Sequence, residues 1–321
     1  MDFLFLSRMN IGLDMMGGDF APLEAVKGIQ EYLSEATEPV QLHLIGDQPQ
    51  IEPLLSEYAF PASRIIITHA PQVIGMHEHP TKALKEKTKS SIAVGFYLLA
   101  SGAIDTFISA GNTGAMLVGS LYSLKPLEGV LRPTISTIIP KENGGTGLLL
   151  DVGLNSDCKP EHLNQFAIMG SVYAQAILGI KQPRVALLNI GEEEGKGNLL
   201  CQATHPLLKN NKHIHFVGNV EGRDVLLDKA DVMVCDGFTG NIILKLAESL
   251  YEITQNKGIR HPYFDRFNFE TYGGTPVLGV SKPVIIGHGI SKSTSFKNKI
   301  VLAQKMIESG MMQTLAAEVK A

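Results

Sequence analysis

The sequence predicts an α/β protein built on mostly parallel sheet flanked by helices, and three observations point there. Short apolar runs alternate with helix-length segments along the chain. The runs are apolar at nearly every position, as strands covered by helices on both faces are. Run after run is closed by glycine with Asp, Asn or Lys, so polar side chains collect at the carboxyl ends of the strands, where open α/β sheets bind ligands. With 321 residues, 44% hydrophobic and 19% charged, the chain can form a single α/β catalytic unit over 1–321 or two lobes around a central cleft.

Asn10–Leu13 reads as the first strand. Met1–Met9 (MDFLFLSRM) is an extra N-terminal segment with an acidic start, a poor secretory signal, and Met9 is an alternative start. Asp14-Met-Met-Gly-Gly-Asp19 is a glycine-rich turn, and Pro22 opens a helix to about Leu33. Gln41–Ile45 is the next strand, and a short helix near Ile51–Tyr58 leads to strand Ile65–Thr68. Ala70–Pro80 is a loop carrying His77 and His79. Lys82, Lys85, Lys87 and Lys89 precede a helix over Ser90–Ala100. Such a run is either a solvated face or a docking patch for an acidic partner or phosphate. Thr106–Ser109 is a strand, Gly111-Asn112-Thr113-Gly114 follows, and Ala115–Leu124 is a helix. Backbone N–H groups at a helix start suit an anion, although such turns also use glycine for steric reasons alone.

Thr134–Ile139 is a strand, and Glu142–Gly147 is a hairpin turn into the central stretch, Leu148–Asn198. There Leu148–Val152 is a strand, Glu161–Leu178 a helix and Arg184–Ile190 a second strand, which makes a parallel βαβ unit. Pro160 suits the first turn of the helix and Gly179 its stop. The helix is apolar on nearly every face, including Ile168, Met169 and Val172, so it needs cover all round from a homodimer partner or a second lobe. Asp151, Asn155, Asp157 and Lys159 follow the first strand; Asn189, Glu192, Glu193, Glu194, Lys196 and Asn198 follow the second. Beyond it, His213–Val217 is a strand followed by Gly218-Asn219, and Glu221–Asp224 is a loop. Asp231–Cys235 is a strand closed by Asp236-Gly237-Phe238-Thr239-Gly240-Asn241, where a helix starts that carries Lys245 on its second turn. Tyr272–Gly279 is a loop, Val284–Ile286 a last strand before Gly287-His288-Gly289, and Asn298 to about Ser309 a closing helix.

A formal charge of −4 gives no basic field for nucleic acid. No apolar run reaches the roughly 18 residues of a membrane span. Cys158, Cys201 and Cys235 lack CxxC spacing, which suggests a reducing cytoplasm and neither disulfides nor zinc. No P-loop, dinucleotide turn, G-x-S-x-G elbow or H-x-x-x-H pair is present, and neither a metal nor a cofactor is expected. Cys158 lies in the central loop but reads as a bystander. What remains is glycine, amide and lysine, an inventory suited to holding an oxyanion such as phosphate.

The segments LDMMGGDFAP, SAGNTGA, LLDVGLNSDCKPEHLNQFAIMGSVYA, RVALLNIGEEEGKGN, FVGNVEGRD, VCDGFTGN and YGGTPVLGV, spread over about Asn10 to Ile300, resemble the PlsX family, the phosphate acyltransferases of bacterial phospholipid synthesis. The resemblance implies a fold similar to isopropylmalate dehydrogenases and phosphotransacetylases, and a homodimer built partly from long helices. It implies formation of acyl phosphate from acyl-acyl carrier protein and inorganic phosphate, in the cytoplasm, with the product passed to a membrane glycerol-3-phosphate acyltransferase. Many members carry an apolar helical hairpin where this chain has the short, mixed Leu250–Thr271, so membrane contact is expected to be peripheral at most.

Phosphate can attack a thioester itself, so the enzyme must position it, offset charge repulsion and stabilise the tetrahedral oxyanion. Lys159, a cation at a helix start against the dipole, and Lys196, between two glycines, are the candidate donors. Asp236 is either a cap or a site residue that orients a lysine or phosphate, and His288 is a candidate weak general acid. Asp14, Gly17, Gly18, Asn112, Thr113, Gly114, Asn189, Asn219 and Asn241 are candidates for phosphate or substrate binding. Capping explains Asn112 and Asn241 equally well, and turn formation explains Asp14 and Asp19. At least one of Glu192–Glu194 is expected to pair with Lys196 or to face solvent. Lys82, Lys85 and Lys89 are the expected docking site for the acidic carrier. The rival readings are a phosphotransacetylase-like enzyme using acyl-coenzyme A, a metal-dependent hydroxy-acid dehydrogenase and a non-catalytic phospho-ligand sensor.

Overall fold

A computed structural model describes residues 8–36, 39–58 and 60–320. Of the segment Met1–Met9, residues 1–7 lie outside the described residues, and Met9 opens the first strand. In chain order the strands are β1 (Met9–Asp14), β2 (Val40–Gly46), β3 (Ile65–His69), β4 (Thr106–Ser109), β5 (Thr134–Pro140), β6 (Thr146–Leu150), β7 (Arg184–Asn189), β8 (His215–Glu221), β9 (Val232–Val234), β10 (Thr275–Leu278) and β11 (Val284–Ile286). The helices are α1 (Leu23–Glu35), α2 (Gln48–Tyr58), α3 (Pro80–Glu86), α4 (Ser91–Ser101), α5 (Thr113–Ser123), α6 (Pro160–Ala176), α7 (Leu199–Asn210), α8 (Gly237–Asn256), α9 (Pro262–Asp265), α10 (Ser293–Glu308) and α11 (Met311–Glu318).

The chain divides into two compact units. The first comprises Met1–Lys125, Glu270–Gly274 and Lys282–Ile307; the second comprises Pro126–Phe269, Thr275–Ser281 and Glu308–Ala321. In the first unit the strands run β3-β2-β1-β4-β11, and every pair is parallel. β2 is buried along its whole length, which its apolar run requires. Its one histidine, His43, meets Asn10 Oδ1 at 3.1 Å, and burial lowers its pKa.

In the second unit the order is β10-β5-β6-β9-β7-β8. The turn Glu142–Gly147 makes the antiparallel β5–β6 hairpin, and β10 pairs antiparallel with β5. β6 and β7 each pair parallel with β9, which is inserted between them. The expected βαβ crossover is therefore present, with one strand of later sequence between its two strands. α6 packs on β6, β7 and β9 and on helices α7 and α11 of the same unit, so its all-round apolar surface does not need a second chain.

Several boundaries depart from expectation for local reasons. β10 lies inside the expected loop Tyr272–Gly279, because a four-residue strand with a proline between Gly273-Gly274 and Gly279 reads as turn. β8 runs on through Gly218-Asn219 to Glu221. Gly218, at φ +100°, lies opposite a register shift between Val185 and Leu187, so this glycine marks an irregularity in the pairing and not an end. Lys82 and Lys85 lie on a separate short helix, α3, started by Pro80. α10 begins at Ser293, before the expected Asn298, and α11 follows it. α8 starts at Gly237, which puts Lys245 on its third turn.

Candidate active site

In the first unit the loops after β1 and β4 meet at Asp14, and the loop after β11 joins them through Ser109 and Asp19. The buried Asp14 carboxylate accepts from Ser109 Oγ at 2.6 Å and from Met16 N at 2.9 Å. Burial pushes its pKa up, against the bonds from Ser109, Ser91, Met16 and Gly17. A Cβ on Gly17 would stand 2.6 Å from both Asp14 Oδ2 and Gly111 N, so the turn can lie against the GNTG loop only with glycine there. Gly18 follows at φ +106°. Asn112 caps α5 by accepting from Ala115 N at 2.9 Å. Its amide donates to the carbonyls of Gly75, Met76 and Glu78 at 2.9, 3.2 and 3.1 Å. Asp14 and Asn112 are thus braces within the protein. Thr113 is exposed and Gly114 half-buried in the first turn of α5. Gly287 N donates to Ser109 O at 2.7 Å and Asp19 N donates to Gly289 O at 2.8 Å, which ties the third loop to the other two; His288 is exposed on it.

The corresponding edge of the second unit is organised by Asp151. It accepts from the backbone N–H groups of Gly153, Leu154 and Asn155 at 3.0, 3.0 and 2.9 Å, and from Asn155 Nδ2 at 2.6 Å. Burial pushes its pKa up against those donors. Lys159 is exposed at the start of α6, and its backbone N–H donates to His162 Nδ1 at 3.1 Å. Asp236 caps α8, accepting from Thr239 N and Thr239 Oγ1, both at 2.9 Å. Asn189 and Asn219 are buried and hold the 190–197 loop: Asn189 Nδ2 donates to Lys196 O at 3.0 Å and Asn219 Nδ2 to Glu193 O at 2.8 Å. Lys196 is exposed on that loop, 3.9 Å from Glu193. Glu192 pairs with Lys229 and Glu194 with Lys209, so each glutamate of the run has its own lysine and the expected pairing holds.

Burial pushes the Cys158 thiol up to about 12. The thiol is therefore held in its protonated, less reactive form, which agrees with its reading as a bystander. Asn241 is exposed on the second turn of α8; Asp236 opens that helix, so the reading of Asn241 as a helix opener is corrected. Sequence reasoning missed a cavity of about 450 Å³ at this edge, lined by Leu188, Asn189, Ile190, Glu221, Gly222, Arg223, Thr239 and Ile243. Ile190 is 81% exposed beside it. An apolar residue directly after a strand-end asparagine was the available signal.

The model of the family described as "Fatty acid synthesis protein" matches residues 9–256 and 260–314. The chain belongs to that family. It is 44% identical over 319 residues to the phosphate acyltransferase of Dictyoglomus turgidum, covering 94% of each chain. It is 42% identical over 332 residues to the phosphate acyltransferase of Aquifex aeolicus, covering 97% of each. The resemblance read from the motifs is thereby borne out. Among solved structures, a phosphotransacetylase from Streptococcus pyogenes superposes with a TM-score of 0.63 at 16% identity, covering 94% of each chain. A branched-chain phosphotransacylase from Enterococcus faecalis does so at 0.56 and 17%, covering 93% of this chain and 99% of that one. At those identities the likeness is one of fold, and it agrees with the fold expected from the sequence.

Proposed function

We propose that this chain is a phosphate acyltransferase that forms acyl phosphate from a fatty acyl-acyl carrier protein and inorganic phosphate, for phosphatidic acid and phospholipid synthesis. The observation that carries this reading is the near full-length identity to phosphate acyltransferases. A phosphate oxygen attacks the thioester carbonyl, a tetrahedral oxyanion forms, and the carrier thiolate leaves. A thiol of ordinary pKa, about 8.5, needs little acid assistance. The chemistry calls for N–H and ammonium donors around phosphate and oxyanion. In the second unit the candidates are exposed Lys159 and Lys196; in the first, taken by itself, the candidate is the first turn of α5 at Thr113 and Gly114. Asp236, with both carboxylate oxygens held by Thr239, sets the start of α8, and His288 is the candidate weak acid. The cavity beside Ile190 and Ile243 suits the acyl group, with Arg223 at hand for the donor's polar end.

The homodimer is proposed on a different helix from the one first singled out. Phe238, Ile242, Leu246, Leu250 and Ile253 recur at three- and four-residue spacing on α8 and are exposed, an apolar stripe that a second copy would cover. Among the described residues no helix is long and apolar enough to cross a membrane. Tyr263 and Phe267 pack edge to face, and Tyr263 Oη donates to Pro140 O at 3.3 Å, so this pair of aromatics in the short segment lies against the β5–β6 hairpin. We place the enzyme in the cytoplasm, with any contact to the membrane and its glycerol-3-phosphate acyltransferase peripheral.

An acid-quench assay of purified protein with carrier thioester and phosphate tests the activity. Phosphate-dependent acyl phosphate formation is expected. Faster turnover of the coenzyme A thioester would instead make the protein phosphotransacetylase-like, and binding without turnover would make it a sensor.

A further inference from the structure

Lys299 lies in the interior of the first unit with none of its surface exposed. It sits on α10 one helical turn beyond Ser295, and its Nζ donates to Ser291 Oγ at 2.9 Å and to Ser295 Oγ. The ammonium is 4.7 Å from the centroid of the Phe296 ring. Among the described residues no carboxylate forms an ion pair with it; Glu270 is the acidic group whose charge reaches it.

Its bonds lead to the loop after β11. Ser291 Oγ, which accepts from the lysine, donates to His288 O at 2.5 Å, and Ser291 N donates to the same carbonyl at 3.0 Å. The lysine also lies directly beneath the first residue of the loop: a Cβ on Gly287 would run into Lys299 Cε and stand 2.9 Å from Nζ. The loop is joined to the ends of β4 and β1 through Gly287 N on Ser109 O and Asp19 N on Gly289 O. A buried cation thus supports the point where three strand-end loops meet.

A structural filler would be apolar there. Taking an ammonium out of water without a carboxylate is unfavourable, and burial brings the Lys299 pKa down to about 7. A Met of the same length would fill the space without that cost. Of the amine's two hydroxyl partners, Ser295 lies on its own helix, and Ser291 carries the relay on to the His288 carbonyl.

We propose that Lys299 is a positioning residue, which through Ser291 holds the Gly287–His288–Gly289 loop where its backbone and His288 meet inorganic phosphate. The inference rests on the function proposed above for this strand edge.

The test is a double-mutant cycle of Lys299→Met and Ser291→Ala, read by steady-state kinetics. Each single variant is expected to raise KM for phosphate roughly tenfold and to leave KM for the carrier thioester unchanged. The double variant should be no worse than either, because both changes break the same relay. Wild-type phosphate constants in both single variants would overturn the proposal. So would losses that multiply in the double, or that fall equally on both substrates. If Lys299→Met fails to fold, Ser291→Ala, which removes only an oxygen, decides alone on its split between the two KM values. If the wild type forms no acyl phosphate, the functional reading falls, and calorimetry with inorganic phosphate takes over. Weaker phosphate binding in the variants then supports the positioning role, whereas equal binding or a wild type that binds none overturns it.

Discussion

Among the described residues two lysines are buried, Lys141 at 3% exposure and Lys299 at 0%, and they are satisfied in opposite ways. Lys141, in the second unit, meets Asp228 at 2.9 Å and Asp231 at 2.6 Å, and Arg184 joins both aspartates. This network stands where β7 and β9 begin, at the end opposite the polar loops. Lys299, in the first unit, meets two hydroxyls and a ring beneath a loop at the carboxyl end of β11. A lysine that only has to be buried gains most from carboxylates, which offset desolvation with charge. One held by serines keeps its desolvation cost, and its geometry points at a loop. The difference separates a support of the fold from a support of the site.

The largest expected effect lies in the carboxylate network. Asp231→Ala leaves Lys141 buried without its nearest carboxylate and should cost about 3–5 kcal/mol in urea unfolding, as removing one partner of a buried pair does. Activity per folded molecule should be unchanged. A cost below about 1 kcal/mol, within the usual range for exposed pairs, would remove the structural half of the comparison.

Titration sharpens the contrast, because the two sites have opposite signs. Asp231 is held below the usual carboxylate range by Arg184 and Lys141 in spite of its burial. Its contribution is full above the unfolded value, about 3.9, and is lost as pH falls through the lower folded value. Lys299 releases its proton at about 7, whereas an unfolded lysine keeps it to about 10.4. Between those values the unfolded state binds more protons, so stability at this site rises with pH. Lys299→Met should therefore raise Tm relative to wild type at pH 7, and the advantage should fade by pH 10. A difference in Tm that is flat across that window would mean the amine is hydrated and not buried as described.

The fold was legible because it rests on periodicity. Thr106–Ser109 and Val284–Ile286 are where the sequence places them, and the α6 helix is off by two residues at its end. β10 was missed because Thr275–Leu278 is four residues among glycines. Site residues were legible by place, less so by role. Asp14, Asn112 and Asn189 do stand at or just after strand ends and Asn219 inside β8 near its end, but the structure turns all four inward to hold loops. Composition and spacing cannot say whether an amide faces a ligand or its own backbone. Lys299 was invisible for a related reason: in sequence it reads as one more charge on an amphipathic helix, and only the packed fold, with Gly287 against it, reveals the burial.

Lys196 provides the exposed counterpart. It is held by its backbone to Asn189, and its head is 3.9 Å from Glu193. Lys196→Ala should lower turnover by at least roughly tenfold, the scale of one donor to a developing charge, and leave the melting temperature nearly unchanged. Wild-type rates at saturating phosphate would show that the loop is only a surface turn.

The smallest effect is expected at the lysines with most solvent around them. Lys82 and Lys85 are exposed on α3 and Lys89 is exposed just before α4, whereas Lys87 is turned inward to Glu78 at 2.5 Å and the Val73 carbonyl at 2.7 Å. On a chain of net charge −4, three free-standing cations close in sequence form a local basic patch. An acidic carrier approaching such a patch is steered over the Debye length, about 8 Å at physiological ionic strength, and salt weakens the steering. Reversing Lys82, Lys85 and Lys89 to Glu, with Lys87 left in place, should raise KM for the carrier thioester several-fold on the scale of a few screened contacts. KM for phosphate should stay where it is, and added salt should raise the wild-type carrier KM toward that of the variant. If the carrier KM answers neither to reversal nor to salt, the run is a solvated face and the carrier docks elsewhere. The three cations of this run would then matter for solubility alone, and the lysines left to function in this chain would be Lys159, Lys196 and Lys299.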